Sequence, residues 1–340
     1  MTLPDVISGR PDFIVLSNYL IQPSFLLSTC PLLSTTRTLV LAHTLITPGW
    51  DSYDKTAPFD PLHPNIDVHY PKLNSRYGCM HSKFALLFYS SGVRVMVTTG
   101  NYISVDFGNM TNGIYVQDFP LKSAADDGKG GGGGEVHPFE KTLVAYLKVA
   151  CSQVSGSPTH AVSSPPSPTT PQNFLRGFQR GSEVSSCPPP HQQPAIVWPT
   201  LAEVASSLNG YSSGRSIPAQ IESLFDSDDA SPSFGQTRTL KIKPHLAPLL
   251  HRWGNPSLPR TKAAPHIKTF LRYKTDARSG EPTGELGWAM MASHNFSMAA
   301  WGAVQKKGKQ LSIEHYELGV LFTERDFRAE GGEGGGGGDD

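Results

Sequence analysis

The sequence predicts an α/β protein of two pseudo-symmetric half-domains, each a mixed β-sheet flanked by helices, with a site at their interface. Three observations carry that expectation. Segments with strand character alternate with segments of helical spacing on both sides of a central break. The break, residues 151–194, is rich in Ser and Pro, including Ser163-Ser164-Pro165-Pro166 and Pro188-Pro189-Pro190, and reads as extended linker. A short unit of His-x-Lys, strand, turn, strand and Asn occurs once on each side of it.

The first half runs from about 10 to 150. Phe13 to Thr36 carries no charge, but Asn18, Gln22, Pro23 and Pro31 interrupt it too often for a membrane span. A core strand followed by a packed helix fits better. Thr38–His43 and Asn65–Tyr70 read as strands, and His81–Tyr89 with Val93–Thr98 as a hairpin turned at Ser90-Ser91-Gly92. A Gly-rich insertion follows at 128–134, then helical spacing over Phe139–Val149. In the second half, 195–328, Ala195–Trp198 reads as a strand and Leu201–Leu208 as a helix. Strands are expected at His266–Tyr273, Gly287–Ala292 and Glu317–Phe322, ahead of a disordered glycine and acidic tail at 329–340.

Lys plus Arg and Asp plus Glu both number 29, so net charge announces no partner. Its distribution says more. From Ala230 to Thr275 there is no acid, while Arg238, Lys241, Lys243, Arg252, Arg260, Lys262, Lys268, Arg272 and Lys274 all fall there, a candidate phosphate-tracking surface. Cys30, Cys79, Cys151 and Cys187 form no CxxC pair, which argues against zinc and fits a reducing compartment.

In a strand, residues i and i+2 share a face, so His81 projects with Lys83 and His266 with Lys268. Asn101 and Asn295 each end the following strand, where pairing would carry them back toward their own His and Lys. Gly113-Ile114 and Gly319-Val320 then close the two units. Two His-Lys-Asn sets facing one another suit phosphoryl transfer. A neutral imidazole is a nucleophile and a charged one a proton donor. Lysines and asparagines bind the non-bridging oxygens as charge builds. Neither cofactor nor metal is required.

The paired motifs resemble the phospholipase D superfamily. Its commoner form, HxKxxxxD, is absent, because Phe88 and Tyr273 stand at the Asp places. A late Asn in place of that Asp is the pattern of the tyrosyl-DNA phosphodiesterase family. The flanking residues agree: Pro265-His266-Ile267-Lys268-Thr269, Asn295-Phe296-Ser297, Ala299-Ala300-Trp301-Gly302 and Tyr316-Glu317-Leu318-Gly319-Val320-Leu321-Phe322. Leu208-Asn209-Gly210-Tyr211 and Ser216-Ile217-Pro218 are similar to another stretch of that family.

The resemblance implies a DNA-repair phosphodiesterase that is nuclear and monomeric and has no membrane partner. Its substrate would be DNA with 3′-phosphotyrosyl or otherwise blocked 3′ ends, a topoisomerase-derived peptide forming part of it. His81 would be the nucleophile and form a phosphohistidine, with His266 as general acid and then base. Lys83, Lys268, Asn101 and Asn295 would hold the phosphate, and Glu317, within its apolar strand, would orient a catalytic histidine. Tyr77, with Gly78, matches an aromatic that stacks on a base. Asn112 stands where the family has Gln; it and Ser293 complete the expected substrate-binding set. Departures are a shorter stretch between the halves, without the family's serine-rich DNA-contacting loop, and a glycine tail soon after the Glu317 strand. A DNA-end-binding remnant without turnover and a phospholipase D-like lipid hydrolase remain as alternatives.

Overall fold

The computed structural model describes residues 1–48, 56–73, 77–121, 138–151, 194–217, 225–227, 240–324 and 326. The insertion at 128–134, nearly all of the linker and the tail at 329–340 lie outside these residues.

After a short α1 (Leu3–Val6), the uncharged segment becomes β1 (Phe13–Ile21) and α2 (Pro23–Thr29). The change comes at Pro23, whose missing N–H cannot serve a ladder and whose fixed φ suits a first helical turn. β2 (Thr38–Leu45) and β3 (Ile66–His69) follow, then the hairpin of β4 (Phe84–Tyr89) and β5 (Gly92–Thr98). At its turn Gly92 has φ 152°, and a Cβ there would lie 2.1 Å from the Phe119 carbonyl oxygen. α3 (Ser104–Asn109), β6 (Met110–Thr111), β7 (Ile114–Pro120) and α4 (Pro138–Ala150) complete the first half.

The six-stranded sheet has order β3-β2-β1-β4-β5-β7, parallel from β3 to β1 and antiparallel beyond it. Alternation along β1 sends Ile14 and Leu16 to one face and Val15 to the other. The first face is closed by Leu3, Val6, Leu26 and Tyr102. The second packs on Phe139, Leu143 and Tyr146 of α4 and on Leu318, Val320 and Phe322 from far along the chain. Each fully buried Leu or Ile contributes about 1.5–3 kcal/mol, so this sheet is the stable frame of the molecule.

Beyond the linker, β8 (Ile196–Val197) is only two residues, and α5 (Leu201–Ala205) stops before Leu208, whose N–H is taken by the Lys262 carbonyl. Thr200 and Glu203 form a reciprocal cap that fixes the start of α5. Small pairs follow: β9 (Phe225–Ser227) with β10 (Leu240–Ile242), and β11 (Leu250–His251) with β8. β12 (Ala264–Pro265) leads to β13 (Thr269–Thr275) and β14 (Pro282–Ala292). Next come α6 (Met298–Trp301), β15 (Ala303–Gln305), β16 (Gln310–Ser312) and β17 (Gly319–Thr323). The second main sheet is antiparallel in the order β13-β14-β17, the arrangement β4-β5-β7 has in the first. No helix of the described residues is long and apolar enough to cross a membrane.

Candidate active site

Neither His-x-Lys motif lies in a strand, contrary to expectation: β4 starts at Phe84 and β13 at Thr269. The reason is backbone pairing across the two sheets. The N–H groups of His81 and Ser82 donate to the Tyr316 carbonyl at 2.9 and 2.8 Å, and Tyr316 N–H donates to Cys79 O at 2.9 Å. His266 N–H likewise donates to Thr111 O at 2.9 Å, where β12 runs parallel to β6. The lysines rejoin their own hairpins, Thr98 N–H donating to Lys83 O at 2.9 Å and Ala292 N–H to Lys268 O at 3.0 Å. Both ammonium groups then curl onto the carbonyl of their own histidine, at 2.8 Å for Lys83 and 2.7 Å for Lys268. An ammonium has three donors, so each keeps two for an incoming anion.

Each imidazole is also held by side chains from the other side of the linker. Nδ1 of His81 is 2.9 Å from Glu317 Oε2. Glu317 precedes β17 by two residues instead of lying within it, and its Oε2 also accepts the Ser293 hydroxyl. Ser293, expected to touch substrate, is fully buried, and its oxygen accepts Leu318 N–H at 3.0 Å; it braces the carboxylate. On the other side, Nδ1 of His266 lies 3.2 Å from Asn112 Oδ1 and 3.1 Å from Asp106 Oδ2. The short amide of Asn112 therefore reaches, and its place is behind His266. Thr99 donates to Asn112 Oδ1 at 3.1 Å and accepts Gly113 N–H at 2.9 Å, repeating what Ser293 does for Glu317 and Leu318.

Register makes Asn112 and Glu317 equivalent. Ile114 pairs with Thr98 and Gly319 with Ala292, so the glycine-led closing pairs noted in the sequence are offset by one residue. At Gly113 a Cβ would stand 2.3 Å from the Met291 sulfur on β14, so the halves meet closely there.

Asn101 and Asn295 each stand three residues past their strands, β5 and β14. Asn101 is buried and donates from its backbone N and its Nδ2 to Asp106 Oδ2, at 2.7 and 2.9 Å, keeping one amide N–H in reserve. Sequence reading missed Asp106, and also Tyr19, whose ring meets His81 edge-on at 5.2 Å and lies 5.7 Å from Lys83 Nζ. His315 was missed too; its ring centre is 5.8 Å from that of His81.

Burial dominates the electrostatics. It pushes His81 down to about 4, helped by Lys83 and opposed by Glu317. It pushes Lys83 down to about 8 and Lys268 well below the usual lysine range, with Lys83 adding to the effect at Lys268. His266 is held well below its ordinary value by burial, then by Lys268, Lys83 and His81. Burial alone would raise Glu317, but His315 and His81 beside it keep its carboxyl well below the usual range. Burial raises Asp106. Because Lys268 acts on His81, and both Lys83 and His81 act on His266, the two corners share one field. A site of neutral imidazoles and destabilised cations gains by taking an anion.

Tyr77 is 77% exposed, with Gly78 half-buried after it. Arg252, Arg260, Lys262 and Arg272 of the acid-free stretch are exposed, and some of its cations have partners. Arg252 pairs with Glu203, Arg260 donates to the Met110 carbonyl, and Lys274 is 3.1 Å from Glu285 and 3.0 Å from Glu324. Arg238 and the side chain of Lys241 lie outside the described residues. Cys30, Cys79 and Cys151 are free thiols.

Comparison with known proteins follows the same lines. A family model described as tyrosyl-DNA phosphodiesterase matches residues 1–164 and 156–334. Tyrosyl-DNA phosphodiesterase 1 of Arabidopsis thaliana is 28% identical over 398 residues, covering 97% of this chain and 60% of that protein. A probable tyrosyl-DNA phosphodiesterase of Caenorhabditis elegans is 31% identical over 163 residues, covering 46% of this chain and 31% of that one. The chain thus spans less than two thirds of these relatives' length. The crystal structure of yeast tyrosyl-DNA phosphodiesterase superposes with a TM-score of 0.59 at 14% identity, over 94% of this chain and 84% of that one, and so shares the fold.

Proposed function

The chain belongs to the tyrosyl-DNA phosphodiesterase family, and from that premise we propose that it hydrolyses the bond between a DNA 3′-phosphate and tyrosine, or another 3′ adduct, through a covalent phosphohistidine. Two pseudo-symmetric half-domains, about 10–150 and 195–328, supply one His-Lys-Asn set each. The substrate is the blocked DNA 3′ end with its peptide remnant, handled by a single chain in the nucleus.

One observation carries the reading: each motif histidine is gripped by residues from the other side of the linker, His81 by Glu317 and His266 by Asn112 and Asp106. Such crossing serves chemistry that needs two imidazoles at one phosphorus. With its proton on Nδ1 toward Glu317, neutral His81 presents the Nε2 lone pair. Nε2 attacks phosphorus, the P–O bond to tyrosine breaks, and the phenolate takes a proton from His266. Water then attacks the phosphohistidine and gives its proton to His266. The P–N bond breaks, its electron pair returns to His81 Nε2, and DNA leaves with a 3′-phosphate. Lys83, Lys268, Asn101 and Asn295 hold the non-bridging oxygens, and the phosphate's charge in turn draws the pKa of lysines and His266 upward. Exposed Tyr77 offers a face on which a base can stack.

The test is incubation of the purified chain with a 3′-phosphotyrosyl oligonucleotide in EDTA. Release of tyrosine with a 3′-phosphate left on the DNA is expected. Binding without cleavage would overturn the enzymatic reading.

A further inference from the structure

We propose that Asp106 is a positioning residue for His266, the charged counterpart of Glu317 behind His81. This rests on the phosphodiesterase reading above. Asp106 is buried on α3, two residues beyond its first. Its Oδ2 accepts Asn101 N at 2.7 Å and Asn101 Nδ2 at 2.9 Å, and lies in ion-pair contact with His266 Nδ1 at 3.1 Å. A carboxylate oxygen accepts more than one hydrogen bond; burial raises the Asp106 carboxyl, and the Asn101 hydrogen bonds with Lys268 and Lys83 nearby oppose that rise. The single oxygen therefore ties a phosphate-binding amide of one corner to the imidazole of the other.

The chemistry separates Asp106 from Asn112. Asn112 Oδ1, 3.2 Å from Nδ1, can fix the tautomer of a neutral ring. It carries no charge with which to stabilise an imidazolium. His266 must hold a proton for the phenolate and then accept one from water. Lys268, Lys83 and His81 all oppose that positive charge. Asp106 is the anion in contact with the ring, so the proton inventory of His266 depends on it.

Asp106→Asn tests this in single turnovers on two substrates. On the 3′-phosphotyrosyl oligonucleotide, release in the first turnover should fall about 10²-fold, within the range for lost general acid catalysis. On the corresponding 3′-(4-nitrophenyl) phosphate, whose leaving group departs without a proton, release should fall much less, by the share felt through Asn101 alone. Equal losses on both would overturn the proposal and make Asp106 a structural residue. Asn112→Ala provides the second variant: with Asp106 in place it should lose less on the tyrosyl substrate, and a loss as large as that of His266→Ala would hand the role to the amide. ¹⁵N NMR of the His266 ring reads the contact without turnover. Its Nδ1 should carry the proton in the unaltered chain and shift on Asp106→Asn; an unmoved resonance would overturn the proposal. An unaltered chain that cleaves neither substrate would instead sink the phosphodiesterase reading.

Discussion

The two halves hold the same corner in very different amounts of protein. The first is embedded in a six-stranded sheet covered on both faces, where Ile14, Leu16, Phe84 and Leu87 are fully buried. The second hangs on three strands, with Leu271 at 50% and Leu321 at 56% exposure. Yet the hydrogen bonds at the two lysines agree to within 0.1 Å, at 2.8 and 2.7 Å. The lesson is that corner geometry is set less by the bulk of each half than by the other half's backbone, Tyr316 beneath His81 and Thr111 beneath His266. Where the corners differ is in the orienter: a carboxylate braced by Ser293 behind His81, an amide plus a shared carboxylate behind His266.

The largest expected effect breaks the equality of the histidines. His81→Ala should cost on the order of 10⁶ in turnover, the scale of losing a covalent nucleophile. His266→Ala should cost about 10² to 10⁴, the usual worth of general acid–base assistance. Single-turnover kinetics on the phosphotyrosyl substrate separates the two, and equal losses would mean that the corners do the same job.

Replacing Glu317 by Gln sharpens the contrast between orienters. Nδ1 of His81 keeps a neighbour but loses its anion, and first-turnover rates should drop about 10- to 100-fold, as when the partner behind a working imidazole is lost. A change confined to KM would show that Glu317 shapes binding and not the nucleophile.

The pH dependence reads the first corner through its imidazole and its ammonium. His81, lowered to about 4, must be neutral to attack, so kcat/KM should fall as pH drops toward that value. Lys83, lowered to about 8, must be charged to hold phosphate, so kcat/KM should also fall as pH rises through about 8. Bound phosphate favours the ammonium, so the alkaline limb of kcat should lie at higher pH than that of kcat/KM. Identical limbs would argue against lysine contact with the phosphate.

The smallest effect concerns the frames. Leu16→Ala in β1 should cost about 2–5 kcal/mol by leaving a cavity, whereas half-exposed Leu271→Ala in β13 should stay within about 0.5 kcal/mol. Denaturant midpoints measure both, and similar losses would mean that the second sheet is as tightly packed as the first.

Much of this was legible in the sequence because it is local. The alternation of β5, the turn at Ser90-Ser91 and the Pro23 switch from strand to helix are decided by neighbouring residues. The His-x-Lys repeat was legible for the same reason. What escaped depends on contacts between distant segments. His81 and His266 have strand character in sequence, and nothing nearby shows that Tyr316 and Thr111 draw them off their own sheets. Nothing local in the sequence turns Ser293 away from substrate, since its hydrogen bond to Glu317 exists only once β14 and β17 pair. Asp106 had no signal at all: a lone acid on a six-residue helix acquires its role from a histidine 160 positions away.

The central claim, that two histidines from two halves divide one reaction, is tested most directly by mapping the trapped intermediate. His266→Ala should retain attack, because a phenol of pKa about 10 is a fair leaving group, and should hydrolyse the adduct slowly. Quenching that variant on a 3′-phosphotyrosyl oligonucleotide, then digesting with protease and nuclease, should yield a peptide carrying a phosphonucleoside on His81. The same mass on any other residue, or an adduct that accumulates in His81→Ala instead, would contradict the account.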